Sequence, residues 1–155
     1  ETAVLSNNYV MKKIQQSKGA AVSYPKSRGR IEQVRYTWEK LTEETGVSTE
    51  DVTCRMADFG FHLWSSHHPW VVPQPFTIEP TESYSKAELD EYLAGLGKTV
   101  EESYGEPEKV KNAPYRSVVH KIDSSPLDDP ERWAITWRAY LRKKEGKKKE
   151  RKKKR

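Results

Sequence analysis

The sequence predicts an α+β domain in which helices cover a short antiparallel sheet, followed by a disordered basic tail. Strand-like segments occur at residues 20–24, 30–38 and 76–79, amphipathic segments with helix-capping residues lie between and around them, and the end is rich in Lys and Arg. Only 34% of the 155 residues are hydrophobic and 33% are charged, which is lean for a self-sufficient domain. We therefore expect a partner to cover part of the surface.

The first helix is predicted over residues 2–17, where apolar residues recur at helical spacing, as Val10 and Ile14 do. Gly19 follows and is expected to stop this helix. The sequence begins without Met and enters the helix at once. We therefore expect the chain to be a piece of a longer polypeptide.

The strands follow from alternation and from bounding prolines. Residues 20–24 form a short strand candidate, and residues 30–38 alternate apolar and polar side chains, so the two are predicted to pair antiparallel. Residues 76–79 form a candidate for a buried strand, bounded by Pro75 and Pro80.

Two further helices are marked by their first residues. Ser48 is a helix cap with Asp51 three residues later, and the helix that follows is predicted to end near Gly60. Ser85 and Glu88 have the spacing of a capping box in front of a longer helix. The apolar face of that longer helix is predicted to consist of Leu89, Leu93, Leu96 and Val100.

The last helix is predicted over residues 129–141, because Asp129 is a cap and Pro130 occupies the first helical position. Its aromatic and apolar side chains fall on one face, which is expected to be a docking surface. They are Trp133, Trp137, Tyr140 and Leu141.

The basic character of the chain is confined to its end. Residues 142–155 hold eleven Lys/Arg and two Glu, which leaves 17 basic and 21 acidic residues, a net charge of −4, in residues 1–141. The isoelectric point of 9.2 therefore describes the tail, which is expected to be disordered. Two interpretations stay open: a solvated appendage that binds polyanions through counterion release, or attachment to a specific acidic partner or nucleic acid.

Cysteine and histidine usage limits the chemistry. Cys54 is the only cysteine, so an internal disulfide is excluded, and no apolar run is long enough for a signal peptide or membrane span. We expect a reducing, cytoplasmic setting. His62, His67 and His68 match no structural zinc spacing, so no metal site is predicted. His62 follows a helix, where it either packs as a polar residue or faces a ligand.

The turn after the third strand candidate carries several oxygen-bearing side chains. Turn chemistry and helix capping account for Ser83 and Ser85. They do not account for Glu79 and Glu82, since neither the turn nor the cap requires both carboxylates. We predict that Glu79, Thr81 and Glu82 contribute to a binding site, because polar residues at such joints commonly carry function.

Two of these segments resemble a known family. Residues 58–62 (Asp-Phe-Gly-Phe-His) and 78–83 (Ile-Glu-Pro-Thr-Glu-Ser) are similar to motifs in the carboxyl-terminal part of the pyridoxal-phosphate-dependent glycine decarboxylase, the P-protein of the glycine cleavage system. The family patterns are Asp-Tyr-Gly-Phe-His and Ile-Glu-Pro-Thr-Glu followed by Ser or Thr, and residues 85–90 are similar to its Ser-Lys-Glu-Glu-Leu-Asp pattern. The likeness covers residues 2–125 and is closest to subunit 2 of the two-subunit form.

The resemblance implies the small domain of a fold-type-I enzyme, within a glycine dehydrogenase (aminomethyl-transferring, decarboxylating). The expected organisation is a linking helix (1–18), the α+β small domain (19–128), the aromatic helix (129–141) and the tail (142–155). The implied cofactor is pyridoxal phosphate, held mainly by an upstream large domain that also carries the Schiff-base lysine. The implied partners are this large domain, subunit 1 and the lipoylated H-protein, in an oligomer. The chain alone is therefore expected to be inactive.

The resemblance also implies a role for residues 58–89 as one wall and lid of the entrance for glycine or the lipoyl arm. Gln33 and Val34 stand where the family has His-Glu, a departure from the standard substrate contacts. No catalytic residue is expected in this chain. The alternative is a noncatalytic binding protein on the same scaffold, with the tail targeting nucleic acid or a ribosome. The expected entrance residues are His62, Glu79, Thr81 and Glu82, with Arg28 as an anion contact.

Overall fold

The computed structural model describes residues 1–24, 26, 29–31, 33–62, 71–118, 120, 121, 136–142, 144 and 145. The elements in chain order are α1 (Thr2–Ile14), β1 (Ala21–Val22), β2 (Val34–Thr37), α2 (Glu39–Thr45), α3 (Thr49–Asp58), β3 (Pro75–Ile78), α4 (Lys86–Gly105) and α5 (Pro107–Lys111). They confirm the predicted α+β class. The chain divides into two compact units, Glu1–His120 and Lys121–Arg155, and each is described by itself.

The sheet of the first unit has three strands in the order β1-β2-β3. Both pairs are antiparallel, with Ala21 opposite Thr37 and Val34 opposite Ile78. The predicted pairing of the first two strands is confirmed. Among the described residues, β1 and β3 form the two edges of this sheet.

One face of the sheet supports the core through a stack of three aromatic rings. The Phe76 ring lies 4.9 Å from the Tyr36 ring and 4.6 Å from the Trp38 ring, measured between centroids. All three side chains are essentially inaccessible to solvent. The helices contribute most of the remaining core residues, which are Val10, Met11, Ile14, Leu41, Val52, Met56, Leu89, Leu96, Val100 and Val110. Val22 and Val34 of the strands and Val47, between α2 and α3, complete the core.

The two helix starts predicted from the sequence are confirmed by complete capping boxes. The Ser48 side chain accepts the Asp51 amide while the Asp51 carboxylate accepts the Ser48 amide, and Ser85 and Glu88 repeat the arrangement at α4. Each box satisfies amide groups that the first helical turn leaves without partners. On α4, the predicted apolar face is in place, with Leu93 partly buried and Leu89, Leu96 and Val100 buried.

Two short helices were not predicted. Helix α2 has seven residues, of which only Leu41 is buried, and α5 has five residues with Val110 as its only buried position. Neither segment is long enough to show the helical periodicity on which sequence interpretation depends. The first two predicted strands, 20–24 and 30–38, are longer than β1 and β2, because the ladder includes only two and four residues of these segments. The third, 76–79, has the length of β3 but is shifted by one residue.

Helix α1 belongs to the core and does not only lead into the domain. Val10, Met11 and Ile14 are buried, and the side chain of Asn8 is bonded to the backbone of Arg30. Asn8 Nδ2 donates to the Arg30 carbonyl at 2.7 Å, and the Arg30 amide donates to Asn8 Oδ1 at 3.1 Å. The helix is thus joined to the approach to β2 by a pair of hydrogen bonds as well as by apolar packing.

The second unit is described only in part. Residues 137–142 are helical, and the rings of Trp137 and Tyr140 stack with centroids 5.2 Å apart. Trp137 is 70% exposed, and the docking role of the aromatic face stays a prediction. The predicted cap at Asp129, Trp133 and most of the basic tail lie outside the described residues. In the part of the chain that the structure describes, no helix has the length and apolar character to cross a membrane.

Candidate ligand groove

A groove of about 640 Å³ lies in the first unit beside the end of β3. Residues 60–62 and 77–81 form two of its sides, the first two turns of α4 form a third, and Val10 of α1 also lines it. This volume lies within the range of small-molecule sites in proteins. The two sequence motifs, separated by more than a dozen residues along the chain, therefore face a common space.

Three of the five predicted entrance residues meet in this groove. His62, Glu79 and Thr81 line it, and all three are exposed. Glu82 is exposed but is not one of the lining residues. Arg28 lies outside the described residues, so its predicted anion contact stays a prediction.

The Asp58 carboxylate at the start of the first motif has a structural role. Its Oδ1 accepts the backbone amides of Tyr115 and Arg116 at 2.6 and 2.7 Å, and its Oδ2 accepts Arg55 Nη1 at 3.0 Å. Burial would raise the pKa of Asp58, but the amides of Arg116 and Tyr115 and the guanidinium of Arg55 together lower it below its usual value. Asp58 thus holds the segment after α5 against α3 and does not face the groove.

The end of the motif positions the groove residues. Gly60 has a φ of 88°, a conformation that favours glycine, and it turns the chain so that Phe61 returns toward α4. The Phe61 ring makes an edge contact with Tyr92 at 5.4 Å between centroids. A Cβ added at Gly95 would lie 3.1 Å from this ring, so the absence of a side chain at Gly95 provides the space that Phe61 occupies. His62 follows directly.

Helix α4 supplies groove residues that sequence interpretation missed. Glu88, Glu91 and Tyr92 all line the groove. Their spacing of three and four residues places them on one helix face, and this face immediately follows the Glu-Pro-Thr-Glu turn. That spacing was the available signal. Burial raises the pKa of the Tyr92 phenol well above its usual value, so this hydroxyl stays protonated and can act as a donor.

The groove combines carboxylates with apolar walls. Glu79, Glu88 and Glu91 supply the negative charge, and among the described residues no Lys or Arg lines the groove. Bonds from the Ser85 backbone amide and side chain lower the pKa of Glu88, which keeps its carboxylate ionised. Glu88 also accepts the Ser85 amide in the capping box, at 2.7 Å. Glu79 and Glu91 have no such role in helix capping.

This lining does not fit pyridoxal phosphate by itself. A Schiff base requires a lysine, and a phosphate group requires cationic or neutral hydrogen-bond donors. The part of the lining that the structure describes instead presents three carboxylates and no lysine. Across the described residues, no group of three or more His, Cys, Asp and Glu side chains is arranged to hold a metal ion. The chemistry available here is orientation, exclusion of water and proton exchange with His62 or the carboxylates.

Comparison with known proteins identifies relatives of the whole first unit. Residues 1–125 match the family described as "Glycine dehydrogenase, C-terminal domain". A protein of Pyrococcus horikoshii named "Probable glycine dehydrogenase (decarboxylating) subunit 2" is 39% identical over 145 residues, which cover 94% of this chain and 28% of that protein. Proteins of the same name from Thermosipho melanesiensis and Thermotoga maritima are 41% and 37% identical, over 81% and 79% of this chain and 25% of each relative.

The match has two consequences. The two motifs that suggested glycine decarboxylase lie inside the matched region, so that resemblance is confirmed, and the relatives favour it over the interpretation as a noncatalytic binding protein. The chain spans only about a quarter of the length of these relatives.

Proposed function

The chain belongs to the glycine dehydrogenase C-terminal domain family, and from this premise we propose that it forms one wall of the glycine and lipoyl-arm entrance of a glycine dehydrogenase (decarboxylating). That enzyme removes carbon dioxide from glycine and transfers the aminomethyl group to the lipoyl arm of the H-protein. One observation carries the proposal: His62, Glu79 and Thr81, which belong to two separate motifs, line one groove.

The division of labour follows from the groove lining. Since the described lining residues include three carboxylates and no lysine, the pyridoxal phosphate and its Schiff-base lysine belong, in this proposal, to the upstream large domain. The present chain contributes walls and polar contacts. The apolar side chains of Phe61, Leu89 and Tyr92 exclude water, while Glu79 and His62 orient the groups that enter.

The proposal includes the setting inferred from the sequence. Subunit 1, the large domain and the lipoylated H-protein are the proposed partners, in a cytoplasmic oligomer, and residues 1–18 link to the large domain. Residues 142–155, with eleven basic side chains, bind an acidic partner or nucleic acid. Removing those residues should abolish salt-dependent retention on a polyanion while leaving the first unit folded.

A first experiment tests the assignment of the cofactor to another domain. The chain of 155 residues, mixed with pyridoxal phosphate, should give no saturable Schiff-base absorbance beyond the weak reaction of its surface lysines, and no exchange of carbon dioxide with glycine. Either signal would overturn the interpretation of this chain as a supporting domain.

A second experiment tests the groove in the assembled enzyme. Glu79→Gln should lower glycine decarboxylation by at least about tenfold, because a charged group that orients the substrate is lost, while the unfolding temperature changes little. The matched control is Glu101→Gln, an exposed carboxylate on α4 outside the groove, which should keep full activity. Glu82→Gln should have a smaller effect than Glu79→Gln. If Glu79→Gln reduces stability as much as activity, Glu79 has only a structural role.

A further inference from the structure

The face of the sheet opposite the core carries a cation with neutral partners. Side chains alternate along a strand, so Arg35 points away from the core that takes Val34 and Tyr36, both fully buried. Its guanidinium donates through Nη1 to Gln33 Oε1 and, at 3.3 Å, to Thr77 Oγ1. Among the described residues, no carboxylate forms an ion pair with Arg35.

Residues with hydroxyl side chains lie on both sides of Arg35 in the sheet. Thr77 is directly opposite Arg35 on β3, and it is 3% exposed. Ser23 extends β1 on the other side, where its amide donates to the Arg35 carbonyl at 2.9 Å. Residues directly opposite each other in an antiparallel pair point to the same face. Ser23, Arg35 and Thr77, together with Gln33, therefore form one row across the sheet, which we call the Arg35 row.

The Arg35 row has hydrogen-bonding capacity that the described residues do not use. The hydroxyl of Ser23 is buried and has no hydrogen-bond partner among them, and an unsatisfied buried hydroxyl is costly to stability. Arg35 itself is half-buried, and burying a charge is unfavourable without an opposite charge. A bound oxyanion that accepts hydrogen bonds from the Arg35 guanidinium and from the Ser23 hydroxyl would balance the charge and satisfy the hydroxyl.

We infer that the Arg35 row binds a carboxylate. The planar guanidinium presents parallel N–H donors that match the two oxygens of a carboxylate. The row has one cation, which balances the single negative charge of a carboxylate but only part of the charge of phosphate. The ligand is either a free carboxylate compound or an Asp or Glu side chain from the rest of the protein. Thr77 also lines the groove, so the bound carboxylate lies beside it, and the inference does not depend on the proposed reaction.

The test follows the Arg35 side chain directly in the full chain of 155 residues. With ¹⁵N labelling, the Nε–Hε resonance of Arg35 should shift saturably as sodium acetate is added, with a dissociation constant on the order of millimolar. Sodium chloride at the same ionic strength should give no saturable shift. In parallel, acetate should raise the unfolding temperature beyond the effect of chloride. An equal response to chloride and acetate overturns the inference.

Two variants and a matched control identify the row as the site. Arg35→Gln should abolish the rise in unfolding temperature caused by acetate. Arg30→Gln removes the same charge from a guanidinium that is bonded to the Tyr24 and Gly29 carbonyls, and it should keep that rise. Ser23→Ala keeps the guanidinium and removes only the buried hydroxyl, so it should fold and should weaken acetate binding severalfold. Undiminished acetate binding in Arg35→Gln, or in Ser23→Ala if Arg35→Gln does not fold, contradicts the inference.

Further measurements distinguish a carboxylate from a phosphate ligand, and a free carboxylate compound from a protein side chain. Inorganic phosphate at the same ionic strength should bind more weakly than acetate, and tighter phosphate binding overturns the assignment to a carboxylate. Glycine should bind if the ligand is a free amino acid. If the acetate response disappears once the chain is assembled with the large domain, while persisting in the chain alone, the carboxylate is a protein side chain. Either source supports the inference.

Discussion

Arg55 Nε donates to Glu102 Oε2 at 2.6 Å, and Arg55 Nη2 donates to Glu102 Oε1 at 3.0 Å, which joins α3 to α4 through a two-point ion pair. The side chains are only 11% and 8% exposed. Lys109 adds a contact to Glu102 at 2.8 Å, and Arg55 also contacts Asp58. This network fixes the relative position of the helices that carry the two sides of the groove.

Removing one partner of this pair should be strongly destabilising. Arg55→Met leaves the carboxylates of Asp58 and Glu102 buried with fewer partners, and we expect a loss of about 3 kcal/mol in the free energy of unfolding. Urea denaturation measures it. The control is Lys40→Met, which removes an exposed contact to Glu44 at 4.0 Å and should cost less than about 0.5 kcal/mol. Similar losses in both variants would show that the network contributes little.

The same network predicts how stability depends on pH. Burial would raise the pKa values of Asp58 and Glu102, but other contacts lower both below the usual values of 3.8 and 4.5. For Asp58 these are the amides of Arg116 and Tyr115 and the Arg55 guanidinium, and for Glu102 they are Arg55 and Lys109. A carboxylate with a lowered pKa in the folded state stabilises the protein above its usual pKa, and this contribution is lost as the pH falls toward the folded value. Stability should therefore decline below about pH 4.5.

Asp58→Asn separates this effect from general acid unfolding. The variant removes one titrating group, so its free energy of unfolding should fall less steeply with acid than that of the wild type, although it is lower at pH 7. Urea denaturation at a series of pH values gives both slopes. Identical slopes would mean that Asp58 does not contribute to the acid sensitivity.

Gly19 should not tolerate alanine. Its φ is 78°, and an added Cβ would lie 2.7 Å from both Leu41 Cβ and Tyr104 Oη. The strained backbone and the two overlaps should together cost about 3 kcal/mol, measured by thermal or urea unfolding. An unchanged stability in Gly19→Ala would show that the turn after α1 can rearrange freely.

Gly95 should be important for the groove, because the absence of a side chain there leaves space for the Phe61 ring. Gly95→Ala forces the Phe61 ring away by a few tenths of an ångström and displaces the neighbouring His62. Activity of the assembled enzyme should fall by about tenfold. The control is Gly97→Ala on the same helix, where a Cβ meets nothing within 4 Å. It should keep activity and gain about 0.5–1 kcal/mol of stability, since alanine favours helix. Equal activity in the two variants would contradict a positioning role for Phe61.

The sequence predicted the fold correctly where a feature depends on residues that are close together along the chain. The boxes at Ser48 and Ser85 depend on residues three positions away, and both were correct. Helix α2 was not predicted, because it is held in place by the tertiary contacts of one buried residue, Leu41. In the site, the turn at Glu79 could be singled out by composition. The role of Asp58 could not, because its amide partners lie 57 and 58 residues away.

The pair of hydrogen bonds between Asn8 and the Arg30 backbone bears on whether α1 stays bound to the domain after the chain between them is cleaved. Those bonds, with Val10, Met11 and Ile14 in the core, hold α1 in place through contacts that do not require chain continuity. Cleavage of the connecting segment would leave two pieces that remain associated. A synthetic peptide carrying α1 should likewise complement a chain that lacks it, so the first helix can serve as a removable and replaceable part of the domain.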